Sequence, residues 1–287
     1  MARIPDTVVS SRTPPRHWFD KLIPRLALLE LVGEFTLDQV RKILQMLAIV
    51  SAVLMAAVQP SSWRRGIRSA LARKVVSSGS DAIGIVCVLG IALGILLIIQ
   101  YQLWLEQIVQ SRFLGPIMVA VIVRELGPLL VNLVMIARSG SAIAAELALI
   151  HVSGEDRIVE GQGLDLLVYY VLPRTIGLVI STWCLTLIFI ACSFLSVYIG
   201  GQWIDAKTGT FWDFTADTLS ALASADVANL LLKSTIPALL SGCICCAAGL
   251  GAGDTNASVP RACRIGVQRS VIALFIVSAF ISVVAYV

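Results

Sequence analysis

Three long runs without a charged residue limit what this chain can fold into. They cover residues 82–99, 175–204 and 270–287, and each is long enough for a membrane-spanning helix, which needs about 18 apolar residues or more. Of the 287 residues, 57% are hydrophobic and 14% are charged, whereas soluble domains carry roughly 25% charged residues. The sequence therefore predicts an all-α integral membrane protein.

Two further spans are predicted in stretches that do carry charged residues. The second span begins near Pro116 and, at about 1.5 Å per residue, crosses a bilayer core of roughly 30 Å near Arg138. The fourth covers residues 233–253 and is interrupted by Pro237. With the three uncharged runs this predicts five spans, the last of them preceded by a loop over residues 254–269.

Positive charge is concentrated on one side of these spans. More than half of the 22 Lys and Arg residues precede Asp81, and cytoplasmic flanks carry such an excess. A cytoplasmic N-terminus and five spans place the C-terminus outside. The two outer loops then contain only two basic residues, Arg112 and Lys207. Residues 205–226 are expected to form an interfacial loop or helix. No basic domain surrounds the charges, so a nucleic-acid partner is not expected.

The chain before the first span is predicted to have two parts. Residues 1–25, with four prolines, are interpreted as an irregular cytoplasmic tail without a signal peptide. Residues 26–75 form an amphipathic helical region, and residues 76–287 form the membrane domain. The uncharged stretch at 43–58 is shorter than the roughly 20 residues of a typical span. We expect an elbow helix in the cytoplasmic interface there, with a sixth span as the alternative.

Few residues suit a metal or a cofactor. Most of the seven cysteines lie in apolar runs and are interpreted as small buried residues rather than disulfide partners. Cys243, Cys245 and Cys246 could in principle bind a metal, but both histidines are distant in sequence, so no metal site is expected. The chain has no lysine-containing P-loop for ATP, and we expect no cofactor in it.

The second predicted span carries Arg124, Glu125, Arg138 and Glu146. Each charge costs about 2.5–3.5 kcal/mol at the bilayer centre on insertion scales, so these side chains are expected to form an intramembrane polar network. Arg124 and Glu125 lie about 100° apart on a helix, so each should find partners on other helices. Arg138 is expected at the cytoplasmic boundary, either snorkelling or paired with an acid such as Glu146.

Small and helix-breaking residues lie beside these charges. Gly127 and Pro128 release backbone groups and predict a kink or hinge. Gly140 belongs to a small-residue face that favours close helix packing. Pro173 marks the step into the third span.

A short polar segment lies between the second and third spans. It carries Ser153, Glu155, Asp156, Glu160 and Asp165 and is predicted to form an amphipathic helix on the cytoplasmic side. A polar helix between two spans is what a transporter would present to a soluble partner. A solvated loop is the alternative.

The order of polar residues from about residue 71 to the C-terminus forms a specific pattern. It comprises Arg124-Glu125-Leu126-Gly127-Pro128, Ala137-Arg138-Ser139-Gly140-Ser141-Ala142, Ala145-Glu146, Glu160, Leu164-Asp165, Pro173-Arg174, Gly253 and Arg269. This pattern resembles the MlaE/YrbE family of ABC-transporter permeases, the membrane subunits of systems built on MCE proteins.

The resemblance implies a permease subunit, not an enzyme, in the cytoplasmic (inner) membrane of a bacterium. Its expected partners are a second permease copy or a paralogue, two cytoplasmic ABC ATPase subunits that hold ATP and Mg, and a hexamer of an MCE-domain protein. The expected substrate is a phospholipid or another hydrophobic molecule, bound in a cavity at the permease dimer interface. The polar segment at 153–165 becomes the coupling helix for the ATPase.

Two interpretations stay open for Arg124 and Glu125. They form a buried network that fixes helix packing, or they steer a lipid headgroup or the opening of the cavity. Two other classes of function are also weighed: a secondary carrier, and an intramembrane enzyme that uses Glu125 or Glu146 as a base.

Overall fold

The computed structural model describes residues 44, 46–57, 59, 65–105, 116, 118–163, 165–203, 210–253 and 255–286. The predicted tail at 1–25 lies outside these residues, as do nearly all of residues 26–45. The chain divides into two compact units, Met1–Ala48 and Ile49–Val287. Only four residues of the first unit are described, at positions 44 and 46–48.

The described residues are almost all helical. In chain order, the helices are α1 (Met46–Ala57), α2 (Arg65–Gln100), α3 (Val119–Ser153), α4 (Glu155–Gly161), α5 (Leu167–Trp203), α6 (Phe211–Ser220), α7 (Ser224–Leu250) and α8 (Val259–Tyr286). A π-helical turn, Tyr101–Leu105, extends α2, and a 3-10 turn, Asn256–Ser258, precedes α8. Helices α2, α3, α5, α7 and α8 are long and apolar enough to cross a membrane. The prediction of an all-α membrane protein with five spans is confirmed.

Helix α1 is a separate short apolar helix before the first span. Within the described residues it is shorter than the roughly 20 residues that cross a bilayer. Val53 of α1 is buried in the hydrophobic core, where Ile49, Val50 and Ala57 are partly buried. The short apolar N-terminal helix is confirmed, whereas its position in the cytoplasmic interface stays a prediction.

Four helices begin before the predicted starts of their spans: α2 at Arg65, α5 at Leu167, α7 at Ser224 and α8 at Val259. Helix α7 begins at Ser224, so Asp226 and Lys233 lie inside a span and not in or beside a loop. Helix α8 begins at Val259, so three arginines predicted to lie in a loop are helical: Arg261, Arg264 and Arg269. The predicted boundaries lie at charged residues, but a charged residue does not end a helix where its side chain finds a partner or reaches water.

Helices α2 and α5 pack in parallel along their lengths. Ser181 Oγ donates to the Val75 carbonyl at 3.0 Å, and Ser193 Oγ donates to the Gly90 carbonyl at 3.0 Å. Contact is closest at Gly94, where an added Cβ would lie 1.9 Å from Ser196 Oγ. Glycine at this position lets the two backbones approach, as small residues do between membrane helices.

Helix α3 changes its winding along its length. Residues Val119–Leu126 and Ile136–Gly140 are π-helical, and α-helix lies between and after them. The Gly127 N–H donates to the Ile122 carbonyl, and a Cβ on Gly127 would lie 2.5 Å from that oxygen. The hinge predicted at Gly127 and Pro128 is therefore a change from π-helical to α-helical winding inside a continuous helix. Such π-helical turns are frequent at functional sites.

Three exposed charged residues mark one level across the helices. At about 1.5 Å per residue, Asp81 lies about 10 Å along α2 from Lys74, and Arg138 lies about 12 Å along α3 from Glu146, in the same direction. Lys74 and Glu146 are in contact, so Asp81 and Arg138 lie at similar height. Gly266 of α8 contacts Ala144 of α3, which puts Arg269 within about 5 Å of that height.

Candidate functional site

A cluster of charged residues joins α3, α7 and α8 near the end of the bundle that carries α6. We call Arg124, Glu125, Asp226, Lys233 and Ser282 the α6-side cluster. Arg124 Nε lies 2.6 Å from Asp226 Oδ1, and its Nη2 donates to Oδ2 at 3.0 Å. Lys233 Nζ donates to Glu125 Oε1 at 2.7 Å, and Ser282 Oγ donates to the same carboxylate at 3.2 Å. Two ion pairs, Arg124–Asp226 and Glu125–Lys233, thus connect α3 to α7.

Lys233 is the most enclosed member of this cluster. Its side chain is 1% exposed, against 39% for Glu125. Besides Glu125, its ammonium donates to the Arg124 carbonyl at 2.9 Å. Asn132 reaches across from α3 and donates to the Lys233 carbonyl at 3.2 Å. Since a buried charge is costly unless paired and hydrogen-bonded, these contacts explain how α7 carries a lysine inside a span.

In the second ion pair, the Arg124 side chain reaches the protein surface, whereas its partner Asp226 is buried. The Arg124 side chain is 30% exposed and the Asp226 side chain 7%. Asp226 also accepts from the Ala223 N–H at 3.0 Å, which fixes the start of α7. Arg124 and Glu125 therefore present part of a guanidinium and part of a carboxylate outward from an otherwise enclosed network.

The partners of Arg124 and Glu125 were missed by sequence reasoning. That each residue would contact other helices was expected, but Asp226, Lys233 and Ser282 were not among the predicted site residues. The available signal was the pair of ionisable residues in the first turns of the fourth span, which the predicted loop boundary concealed.

A second charged cluster lies at the opposite end of the bundle, beside α4. Glu146 of α3 accepts from Lys74 of α2 at 2.6 Å and from Arg174 of α5 at 3.3 Å, and we call these residues the α4-side cluster. Arg174 also donates to the Tyr170 carbonyl at 3.0 Å, and its guanidinium lies 5.3 Å from the Tyr170 ring centre. One carboxylate thus holds three spans together.

The four residues predicted as one intramembrane network do not meet. Glu125 and Glu146 are about 31 Å apart along α3 at 1.5 Å per residue, and they belong to different clusters. Arg138 lies between them and is exposed. Within the described residues no ion pair joins Arg138 to Glu146, because Lys74 and Arg174 hold that carboxylate. The error came from treating residues of one helix as neighbours although their heights differ.

The turn between α3 and α4 is built around Gly154 and Asp156. Gly154 has φ 76°, a left-handed conformation that glycine adopts readily. His151 Nδ1 lies 2.5 Å from Asp156 Oδ2, and the Arg157 N–H donates to Oδ1 at 2.8 Å. Burial raises the pKa of Asp156, but these hydrogen bonds and the charges of His151 and Arg157 outweigh it and lower the pKa below the usual 3.8.

The predicted coupling residues divide into two groups. Ser153, Glu155, Glu160 and Asp165 are exposed. Asp156 is buried and faces His151, so it fixes the position of α4 and is not available on its exposed face. Asp165 accepts from the Leu167 N–H at 2.9 Å at the start of α5. The predicted contact face of α4 is therefore corrected to exclude Asp156.

An open groove of about 440 Å³ lies beside the start of α4. It is lined by Leu149, Ile150, Val152, Ser153, Glu155 and Asn256. Ile158 on α4 is also exposed. A surface that combines exposed carboxylates with apolar side chains suits a protein partner.

The two remaining predicted packing residues are buried at helix contacts. Gly140 faces α7, and a Cβ there would lie 3.0 Å from Cys245 Sγ. Pro173 is buried near the start of α5. Within the described residues, no group of His, Cys, Asp and Glu is arranged to hold a metal ion.

Comparisons with known proteins point to one family. The profile described as Permease MlaE matches residues 71–284. A probable ABC transporter permease protein of Rickettsia prowazekii is 26% identical over 252 residues, which cover 88% of this chain and 95% of that protein. The intermembrane phospholipid transport system permease protein MlaE of Haemophilus influenzae is 28% identical over 157 residues, or 54% and 59% of the two chains. The chloroplastic protein TRIGALACTOSYLDIACYLGLYCEROL 1 of Arabidopsis thaliana is 25% identical over 225 residues, or 76% and 61%.

Proposed function

Because the chain belongs to the MlaE permease family, we propose that it is the membrane subunit of an ABC transporter that moves phospholipids or other hydrophobic molecules between membranes. The observation that carries the proposal is the placement of α4. This short helix lies between two spans, with Glu155 and Glu160 exposed beside an open groove. It offers a docking surface for an ATPase, which would hold the ATP and Mg.

The contacts around α4 provide a route from that surface to the spans. The pair of His151 and Asp156 fixes α4 to the end of α3. Close by, Glu146 joins α3 to Lys74 of α2 and Arg174 of α5. A displacement of α4 driven by the ATPase is thereby passed to three spans together and not to a flexible loop.

We propose the orientation of the bundle in the membrane from the distribution of its basic residues. Arg261 and Arg264 are exposed on the first turns of α8, and α8 begins at the α4 end of the bundle, where Gly266 contacts Ala144. Basic residues accumulate on the cytoplasmic side. We therefore assign α4 to the cytoplasm and α6 to the periplasmic side of a bacterial inner membrane, with the C-terminus periplasmic.

The α6-side cluster is the proposed place of contact with the lipid headgroup. The exposed parts of Arg124 and Glu125 offer one positive and one negative group, which complement a phosphate and an ammonium. At about 1.5 Å per residue, the cluster lies about 20 Å from the level of Arg138, or about two-thirds of the way across a bilayer core of roughly 30 Å. Lipid accepted there would pass to a periplasmic MCE-protein hexamer. A second permease copy or a paralogue would complete the cavity.

Purification from native membranes tests this function. The tagged chain is isolated in mild detergent, and both the proteins and the lipids that accompany it are identified by mass spectrometry. We expect an ABC ATPase, an MCE-domain protein and phospholipid, each enriched over an unrelated multi-pass protein from the same cells. If the purified chain alone moved lipid in liposomes without any ATPase, a secondary carrier would replace the proposal.

A further inference from the structure

Helix α6 has three distinct faces. One face, with Phe214 and Thr218, is buried against the bundle. A second carries Asp213 and Asp217, both exposed. The third face is apolar and unburied.

This third face is formed by Trp212, Ala216 and Leu219, and we call it the α6 apolar face. Trp212 is 76% and Leu219 72% exposed. Ala216 lies between them one helical turn after Trp212 and is also exposed. These residues share a face because positions separated by three or four residues lie on the same side of a helix. Among the described residues, none covers this face.

The height of α6 in the bundle is fixed by its contacts with Tyr198 of α5. The Tyr198 ring centre lies 5.2 Å from that of Phe211 and 5.9 Å from that of Phe214. Since α5 continues to Trp203, α6 folds back beside the end of α5 and does not project beyond it.

The same height is that of the α6-side cluster. Gly177 of α5 contacts Lys74, which binds Glu146. At about 1.5 Å per residue, Tyr198 lies about 31 Å beyond Gly177, and Glu125 lies equally far from Glu146 along α3. Helix α6 is therefore about 20 Å above the level of Arg138, and a bilayer core extends roughly 30 Å.

This depth decides what covers the apolar face. With Arg138 at the cytoplasmic edge of a core of roughly 30 Å, as expected from the sequence, α6 lies about 10 Å inside the opposite edge. An amphipathic helix in the membrane interface buries its apolar side to a similar depth, about 5–10 Å into the boundary of headgroups and acyl chains. Tryptophan favours this zone, and Trp203 at the end of α5 is exposed beside it. The two aspartates on the neighbouring face can reach the water of the headgroup layer.

We propose that α6 is an interfacial helix docked on the lipid leaflet at its own end of the bundle, with Trp212 and Leu219 inserted among the lipids. The occupant of the α6 apolar face is bilayer lipid, and not a second copy of the chain or a soluble partner. This inference does not depend on the transported substrate or on the ATPase.

Fluorescence quenching of the full chain tests the proposal. An NBD fluorophore is attached to a cysteine at Leu219→Cys or, as the matched control, at Asp217→Cys. The four cysteines that are not buried are replaced by alanine: Cys87, Cys184, Cys192 and Cys263. The full chain is reconstituted in vesicles of phosphatidylethanolamine and phosphatidylglycerol. Quenchers are doxyl-labelled phospholipid in the bilayer and iodide in the water.

We expect label 219 to lose more fluorescence with doxyl lipid than label 217, and label 217 to lose more with iodide than label 219. Equal iodide quenching at both positions would show a solvated helix and overturn the proposal. Protection of label 219 from both quenchers would show that protein covers the face and would also overturn it. Trp212→Cys repeats the measurement on the same face if the Leu219 variant does not assemble.

Discussion

The unequal burial of Lys233 and Glu125 predicts an asymmetric response to mutation. In Glu125→Leu, the ammonium of Lys233 stays enclosed at 1% exposure and keeps only the Arg124 carbonyl at 2.9 Å. In Lys233→Met, the carboxylate of Glu125 is 39% exposed and keeps the Ser282 hydroxyl at 3.2 Å. Glu125→Leu therefore leaves a buried charge without its counter-ion, whereas Lys233→Met leaves a partly exposed carboxylate that still accepts a hydrogen bond.

The expected magnitudes follow from this difference. Removing one partner of a buried ion pair costs about 3–5 kcal/mol in soluble proteins, whereas polar couplings measured inside a membrane average about 0.6 and reach about 1.7 kcal/mol. We expect Glu125→Leu to lower the free energy of unfolding by about 1–3 kcal/mol and Lys233→Met by less than about 1 kcal/mol. The double variant should cost less than the sum, because both charges are then absent.

The assay is unfolding of the purified chain by SDS in mixed micelles, followed by helical circular dichroism. Glu125→Gln is the matched control, since it keeps the shape and the capacity to bind Lys233 and Ser282 but removes the charge. It should insert and assemble like the parent protein while changing lipid transport. A Lys233→Met variant less stable than Glu125→Leu, or strictly additive effects in the double variant, would refute the reasoning.

Three further predictions concern other parts of the molecule. Gly94→Ala should lower the free energy of unfolding in SDS by about 1–3 kcal/mol through overpacking. Gly84→Ala is the control, because the space around Gly84 is open, and it should leave unfolding unchanged. Equal effects of the two variants would contradict the close contact of α2 and α5. Because the folded-state pKa of Asp156 is lowered, its contribution is present above the unfolded pKa of about 3.9 and is lost as pH falls through the folded pKa. The parent protein should thus be more stable than Asp156→Asn at neutral pH, and the difference should shrink below about pH 4; a difference that grows on acidification would contradict the sign. In intact cells, an impermeant thiol reagent should modify a cysteine introduced at Lys207 but not one at Ser258, and the reverse pattern would invert the topology.

The number and type of spans could be predicted because length and charge decide them. Residues 82–99 and 270–287 are uncharged over about the length of a bilayer crossing, and the structure places α2 and α8 there. The ends of the helices could not be predicted in the same way. Arg269 was taken to mark a boundary, yet an exposed arginine at the membrane surface does not interrupt helical hydrogen bonding, so α8 begins ten residues earlier.

Which residues meet in each charged cluster depends on how the helices are aligned against one another, and this alignment cannot be read from a single sequence. Glu125 binds Lys233, 108 positions away, and Glu146 binds Lys74, 72 positions away. Sequence reasoning instead grouped residues of one helix. The case of Asp156 is different, because its inward orientation follows from where Gly154 ends α3 and sets the phase of α4. With the position of that turn known, Asp156 would be predicted to face inward, and Glu155 and Glu160 to face outward.

Lipid-stimulated ATP hydrolysis by the reconstituted complex tests whether α4 couples this permease to an ATPase. Glu155→Lys with Glu160→Lys reverses two exposed charges on α4, while Asp213→Lys with Asp217→Lys makes the same change of charge on α6. We expect the α4 variant to insert normally but to lose lipid stimulation or bound ATPase, and the α6 variant to keep the ATPase bound. Unchanged stimulation and unchanged co-purification of the ATPase with the α4 variant would show that α4 is not the coupling helix.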